Sequence, residues 1–196
     1  MNHKGKPIFL ALSLLIQPLS MLAKSFVYIK NFSASPIRLS QLKKSDNATE
    51  MIASNGTTIE PYAYGKKNNM LVFKLSRGAG NSDDISSGSI EVGIQDKKTK
   101  EYDWVNLFTM QQKVEHRFFH SNVFARLKTR SFDSDFKEGD PNNPIHTIIK
   151  VAGKQFVVVL KKIDIKNGDD DYVYMILDYS PNAPKPLSKE TKTPQV

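Results

Sequence analysis

From residue 26 onward, apolar and polar side chains alternate with a period of two. Ile90, Val92 and Ile94 are separated by Glu91, Gly93 and Gln95. Leu71, Phe73 and Leu75 flank Val72 and Lys74, and Val173, Met175 and Leu177 flank Tyr174 and Ile176. In an extended chain successive side chains point to opposite faces, so this period predicts strands. The same reasoning predicts strands at 26–32, 37–42, 102–108, 145–151 and 156–163. Within the last of these, the unbroken Val157-Val-Val-Leu160 run predicts a strand covered on both faces.

Turn residues separate the strands. Ala152-Gly153-Lys154 is short enough for a hairpin, and Asn167-Gly168-Asp169 begins another. Long helical periodicity is scarce, and Pro or Gly interrupts most candidates, which argues against repeated strand-helix-strand units. The expected fold is all-β: one antiparallel two-layer β-sandwich spanning residues 26–179. Gly78 to Gly88 is expected to form a polar loop. The tail, 180–196, carries four prolines and no apolar periodicity, and is expected to be disordered.

The N-terminus has a different pattern. Lys4 and Lys6 precede the apolar run Ile8 to Ile16, which is followed by Pro18 and small residues. This is the layout of an export signal, with Ala23 or Ser25 before the cut; small residues at both pocket positions favour the cut after Ser25. Residues 1–25 are therefore expected to be a signal peptide. The run is shorter than the ~20 residues a membrane-spanning helix needs. The expected location is periplasmic or secreted.

Composition narrows the chemistry. The chain has a net charge of +8 and no cysteine, which rules out disulfides, thiolate catalysis, cysteine zinc sites and a lipid-modified cysteine. The lack of disulfides in an exported protein points to a bacterial source. Asn31, Asn47 and Asn55 open Asn-x-Ser/Thr triplets, at a number that chance accounts for. Basicity would suit nucleic acid, but the lysine pairs are scattered and export points elsewhere, so no nucleic-acid partner is expected.

The most distinctive stretch runs from Glu115 to Phe132. As a strand it puts Phe119, Ser121, Val123, Ala125 and Leu127 on one face. Phe118, His120, Asn122, Phe124, Arg126, Lys128, Arg130 and Phe132 then lie on the other. Arg126, Lys128 and Arg130 form a row of cations able to meet phosphates or sulfates, while Phe118 and Phe124 can enter an interfacial layer. A helix over 114–125 is the alternative, with Val114, Phe118 and Ala125 sharing a side.

Other constellations are weaker. His116 and His120 share a face, and His146 could join them on zinc, but the Glu of a His-Glu-x-x-His motif is missing. The acidic runs at 133–140 and 169–171 offer oxygen ligands, yet Lys137 and Glu138 break an EF-hand loop. No nucleophile elbow or phosphate-binding glycine loop occurs. No cofactor, metal or catalytic residue is expected.

Val27-Tyr-Ile-Lys-Asn31, Pro36-Ile-Arg-Leu39, Ile59-Glu-Pro61, Met70-Leu-Val-Phe73 and Gly88-Ser-Ile-Glu-Val92 occur in that order. Over Val27 to Phe108, under half of the chain, this order resembles the actinoporin and aegerolysin type of membrane-binding β-sandwich. The resemblance implies a sandwich fold and a lipid-facing surface. Those families bind headgroups through aromatic-rich loops, and some assemble into pores. Here the single tryptophan, Trp104, alternates with Tyr102 and Phe108 and falls on a strand.

The expected function is a non-enzymatic exported protein that binds an anionic surface, lipid headgroups or a sulfated glycan, through Arg126, Lys128, Arg130, Phe118 and Phe124. A host protein is a further partner class, which would suit a secreted bacterial effector. A carbohydrate-binding or protein-binding module is the alternative, and a hydrolase with an unrecognised site the third reading.

Overall fold

The alternating segments pair into eleven strands among the residues that a computed structural model of the chain describes: 24–45, 48–62, 69–76, 85–116, 121–135, 142–164 and 170–181. The expected leader up to residue 23, Phe118 and His120, residues 78–84, most of the 133–140 acidic run, the 167–169 turn and the tail from 182 lie outside them.

The strands are β1 (Lys24–Asn31), β2 (Ile37–Lys43), β3 (Ala48–Met51), β4 (Thr58–Ile59), β5 (Asn69–Ser76), β6 (Ile85–Gln95), β7 (Tyr102–His116), β8 (Ser121–Lys128), β9 (Ile145–Val151), β10 (Lys154–Asp164) and β11 (Asp170–Asp178). No helix occurs among the described residues. A six-stranded sheet, β3-β5-β1-β11-β10-β9, faces a five-stranded sheet, β4-β2-β6-β7-β8. The fold is the expected all-β sandwich.

The core is the set of inward positions of both sheets. Val27 and Ile29 of β1, Phe156 and Val158 of β10, and Ile176 of β11 meet Ile90 and Val92 of β6, Met110 of β7, and Val123 and Leu127 of β8, all 0 % exposed. Gly88 makes room for this packing. A Cβ there would lie 2.5 Å from Leu42 Cδ2 and 2.7 Å from Met110 Cε. The β9-β10 hairpin closes as the sequence suggests, through Ala152 (φ 46°) and Gly153 (φ 79°). Two positive φ angles in a two-residue loop are the geometry of a type I′ turn, whose twist suits paired strands.

Two buried tyrosines join the sheets by hydrogen bonds. The Tyr172 hydroxyl donates to the Val123 carbonyl at 2.6 Å, and the Tyr174 hydroxyl reaches the Arg126 carbonyl at 2.9 Å. Both come from β11, and both hold β8, the edge strand of the opposite sheet. Gln112 adds its amide to the Tyr174 hydroxyl at 3.0 Å, and Phe108 stacks on the Tyr174 ring with centroids 5.7 Å apart. Burial raises the Tyr174 pKa, because a phenolate there would lose its hydration.

Asn31 ties β1 to the loops beyond it. Fully buried, its amide donates to the carbonyls of Ser35 (2.8 Å), Glu60 (3.0 Å) and Ile59 (3.2 Å), and its carbonyl accepts from the Ser33 hydroxyl and N–H. The Asn31 triplet is therefore closed to glycosylation in the folded domain.

The structure departs from the alternation pattern in several places. β1 and β11 are parallel, whereas an antiparallel sheet was expected; side-chain period carries no information on strand direction. The first strand begins at Lys24, and Ser25 is fully buried and paired with Leu75, so the sheet starts two residues before the expected boundary. β6 includes Gly88, which the loop reading assigned to 78–88. Glu115 and His116 close β7 and residues 121–128 form β8, so the described residues of 114–125 are strand rather than helix. Val157 and Val159 are covered on neither side as fully as their run suggested: they stand half-buried on the outer face.

Candidate functional site

Along β8 the sides fall as the alternation requires. Val123, Ala125 and Leu127 are fully buried, whereas Asn122, Phe124, Arg126 and Lys128 lie on the outer face. The strand stops at Lys128, however, and the chain turns back. The Thr129 hydroxyl accepts from the N–H groups of Ser131 (3.2 Å) and Phe132 (2.9 Å), and the Thr129 N–H donates to the Phe132 carbonyl at 2.7 Å. This turn brings Asp133 opposite Lys128 in a single bridge, and Ser134 fixes it by hydrogen bonds in both directions with the Leu127 backbone.

The consequence is electrostatic. Asp133 takes both Nε and Nη2 of Arg126 in a two-pronged pair, and Lys128 Nζ stands 3.7 Å from the same carboxylate. The hydrogen bonds from Arg126 hold the Asp133 carboxyl below the usual carboxylate range, and those bonds in turn raise the Arg126 pKa. Two of the three cations in the row are thus bound within the protein. Phe124 sits across from Lys113, which pairs with Glu115 at 2.7 Å.

Arg130 is placed differently. Exposed at the tip of the turn, it makes no ion pair among the described residues. It opens onto a cleft of about 470 Å³ between the first part of β7, the turn and the edge strand β9. Asn106, Thr129 and Ser131 supply polar groups, Val105 and Ile148 supply exposed apolar ones, and Lys150 brings a second cation. Among the described residues no carboxylate lines the cleft. The arrangement can accept an anionic headgroup against hydroxyl and amide donors with an apolar wall beside it.

Arg130 is the one expected cation that reaches this cleft. Lys150, Ile148, Val105 and Asn106 were not singled out, because only the meeting of β7 and β9 at the sandwich rim places them together. The sole hint was the alternation of Ile148 and Lys150 on β9.

A second surface lies on the outer face of the five-stranded sheet. Tyr102 and Trp104 sit with ring centroids 5.9 Å apart, the Arg38 guanidinium lies 4.4 Å from the Trp104 centroid, and Glu91 holds Arg38 at 2.6 Å. Gly93 keeps the floor flat, since a Cβ there would come within 3.0 Å of Tyr102 and 3.3 Å of Trp104. Trp104 is on a strand, as expected.

His146 is exposed on β9, and among the described residues no three His, Cys, Asp or Glu side chains gather as a metal site. No family model, curated protein or solved structure matches this chain.

Proposed function

We propose that this chain is an exported, non-enzymatic protein that binds an anionic surface, lipid headgroups foremost, at the cleft between β7, the 129–132 turn and β9. The observation that carries the reading is a cleft with Arg130 and Lys150 in its lining and, among the described residues, no acid to neutralise them. Phosphate groups would meet the two cations and the Ser131 and Thr129 hydroxyls, with Val105 and Ile148 against the glycerol and first methylenes. The basic balance of the chain supports the same partner, as do the resemblance to membrane-binding sandwiches and the N-terminal export pattern. Relative to the sequence-based site, Arg130 is kept, Arg126 and Lys128 become a reserve held by Asp133, and Phe124 flanks them.

Co-sedimentation with vesicles, with and without acidic lipid, tests the reading. Wild type is expected to sediment with acidic vesicles only and to release as salt rises, because exposed charges are screened beyond about 10 Å at 0.1 M. The Arg130→Glu/Lys150→Glu variant is expected to lose binding; binding equal to wild type overturns the site. Asp133→Asn tests the reserve. It frees Arg126 and Lys128 on the outer face of the five-stranded sheet beside the turn, and their charge is expected to tighten binding by about twofold to threefold through the field near the cleft rather than by contact. An unchanged affinity means that their charge does not reach the bound surface.

The Tyr102 and Trp104 rings favour a second reading, a carbohydrate-binding module. A saturable glycan-array signal that is insensitive to salt and lost in Tyr102→Ala would select it, since stacking on sugar does not depend on screening.

A further inference from the structure

A sandwich sheet with one wet side carries polar residues there. The outer face of the six-stranded sheet departs from that rule. Register puts Val157 between Ile148 and Leu177, and Val159 beside Met175. All but Ile148 are half-buried, and Ile148 is 51 % exposed. Val173 follows along β11. Its neighbours Tyr172 and Tyr174 point into the core, so Val173 lies on the outer face, yet it is only 2 % exposed. Tyr28 of β1 pairs with Val173 and prolongs the strip.

Cations flank this strip. Lys30 pairs with Met175 across strands, Lys161 pairs with Val173, and Lys150 stands two residues from Ile148 on the edge strand. None of the three forms an ion pair among the described residues. Among the described residues of the strands on this face, the acids are Asp171, which is buried and accepts the Phe26 N–H at 2.9 Å, and Glu50 on the far edge strand β3, which lies 3.8 Å from Lys74.

We infer that this face is a membrane-contact surface that lies flat on anionic lipid and runs into the cleft through Ile148 and Lys150. The inference rests on the lipid reading above and adds to it the area of contact and the orientation. Half-buried valine, methionine and leucine side chains suit the boundary between headgroups and acyl chains, and lysine stems lie along apolar surface while their ammonium groups reach phosphate. The three unpaired lysines select against a second copy of the same face, which would set like charges against one another.

The test uses the absence of cysteine, which makes one introduced thiol a unique label. Val159→Cys and Thr58→Cys are each labelled with an environment-sensitive nitrobenzoxadiazole. Thr58 is exposed on β4, in the opposite sheet. The probes are phosphatidylcholine vesicles with and without phosphatidylglycerol. Emission at residue 159 is expected to rise about threefold and move to the blue with acidic vesicles only, and emission at 58 to stay constant. Val157→Glu/Met175→Glu, checked by circular dichroism for its strand signal, is expected to weaken sedimentation by at least about tenfold.

Failure of wild type to bind acidic vesicles overturns the lipid reading, and the face with it. If wild type binds and Arg130→Glu does not, while the label at 159 stays unchanged and the double Glu variant binds as wild type does, the face alone is overturned. A rise at 159 without lipid, together with a dimer in sedimentation, assigns the face to a second copy and overturns the inference. A rise with polyglutamate equal to that with vesicles overturns it in favour of an acidic polypeptide.

Discussion

Asn31→Asp is expected to cost at least about 3 kcal/mol of folding stability at pH 7. The side chain is fully buried, and its amide nitrogen faces three carbonyl oxygens within 3.2 Å. A carboxylate oxygen at that place puts a charge against three acceptors with no donor between them. The other oxygen keeps the Ser33 hydroxyl and N–H, so the cost comes from one side of the group. Protonation restores one donor, so the folded state raises the pKa of the new carboxyl above its unfolded value. Such a group is tolerated below the ordinary carboxylate range, near 4, and loses stability as pH rises through the raised pKa. Urea unfolding is therefore expected to show a smaller deficit for the variant at pH 4 than at pH 7. A loss under about 1 kcal/mol at pH 7 would mean that the Asn31 contacts do not hold the β1 end and the 59–60 segment together.

Tyr174→Ala is the second large effect, at about 4 kcal/mol, because it removes a fully buried aromatic ring together with a hydroxyl at the centre of the sandwich. Tyr174→Phe separates the two terms. The ring keeps its stacking on Phe108, while the Arg126 carbonyl loses the hydroxyl and the Gln112 amide loses an acceptor, which costs about 1 to 2 kcal/mol. The effect has a location as well as a size. Amide exchange is expected to quicken in β8 more than in β1, since the lost bond anchors the edge strand. Uniform loss of protection across both sheets would instead make Tyr174 a packing residue only.

The same variant has a pH signature. Burial raises the folded pKa of Tyr174, so its share of stability is complete below about pH 10 and falls as pH rises above it, where the unfolded chain releases the proton. Tyr28 is raised as well, by burial first and by Asp171 beside it. The alkaline loss is therefore expected to be shallower in Tyr174→Phe, by about one proton's worth of slope, and not abolished. An unchanged slope would show that another group carries the alkaline transition.

Strand positions were largely legible in the chain, because burial between two sheets demands an apolar residue at every second position and little else demands it so regularly. The 145–151 strand, the 152–154 hairpin and the split of β8 into buried Val123, Ala125 and Leu127 against outward-facing cations all follow from that single constraint. β3 and β4 were missed. Four and two residues are too short to show a period, and β3 carries Thr, Glu and Met on an edge where one side meets water.

Bulges defeat alternation elsewhere. Tyr102, Trp104 and Phe108 share a face by simple parity, but the register shifts between Ile90 and Glu91. Both Leu107 and Phe108 turn inward, while Tyr102 and Trp104 stay outside. A single extra residue reverses every later side chain, and no local sequence preference announces it here.

The candidate site was half legible for a related reason. Arg126, Lys128 and Arg130 are evident as charges, but whether a charge is available depends on what folds back against it. The turn at 129–132 delivers Asp133 to the first two and leaves the third facing a cleft. The sequence by itself determined the all-β class, the inward residues and the positive balance of the protein, since these depend on composition and near-neighbour period. Only the tertiary structure decided the parallel β1-β11 pair, the pairing of Arg126 and Lys128 with Asp133, the Arg130 and Lys150 cleft and the apolar outer face. Each depends on contacts between residues distant in the chain, which turn direction, register and one bulge bring together.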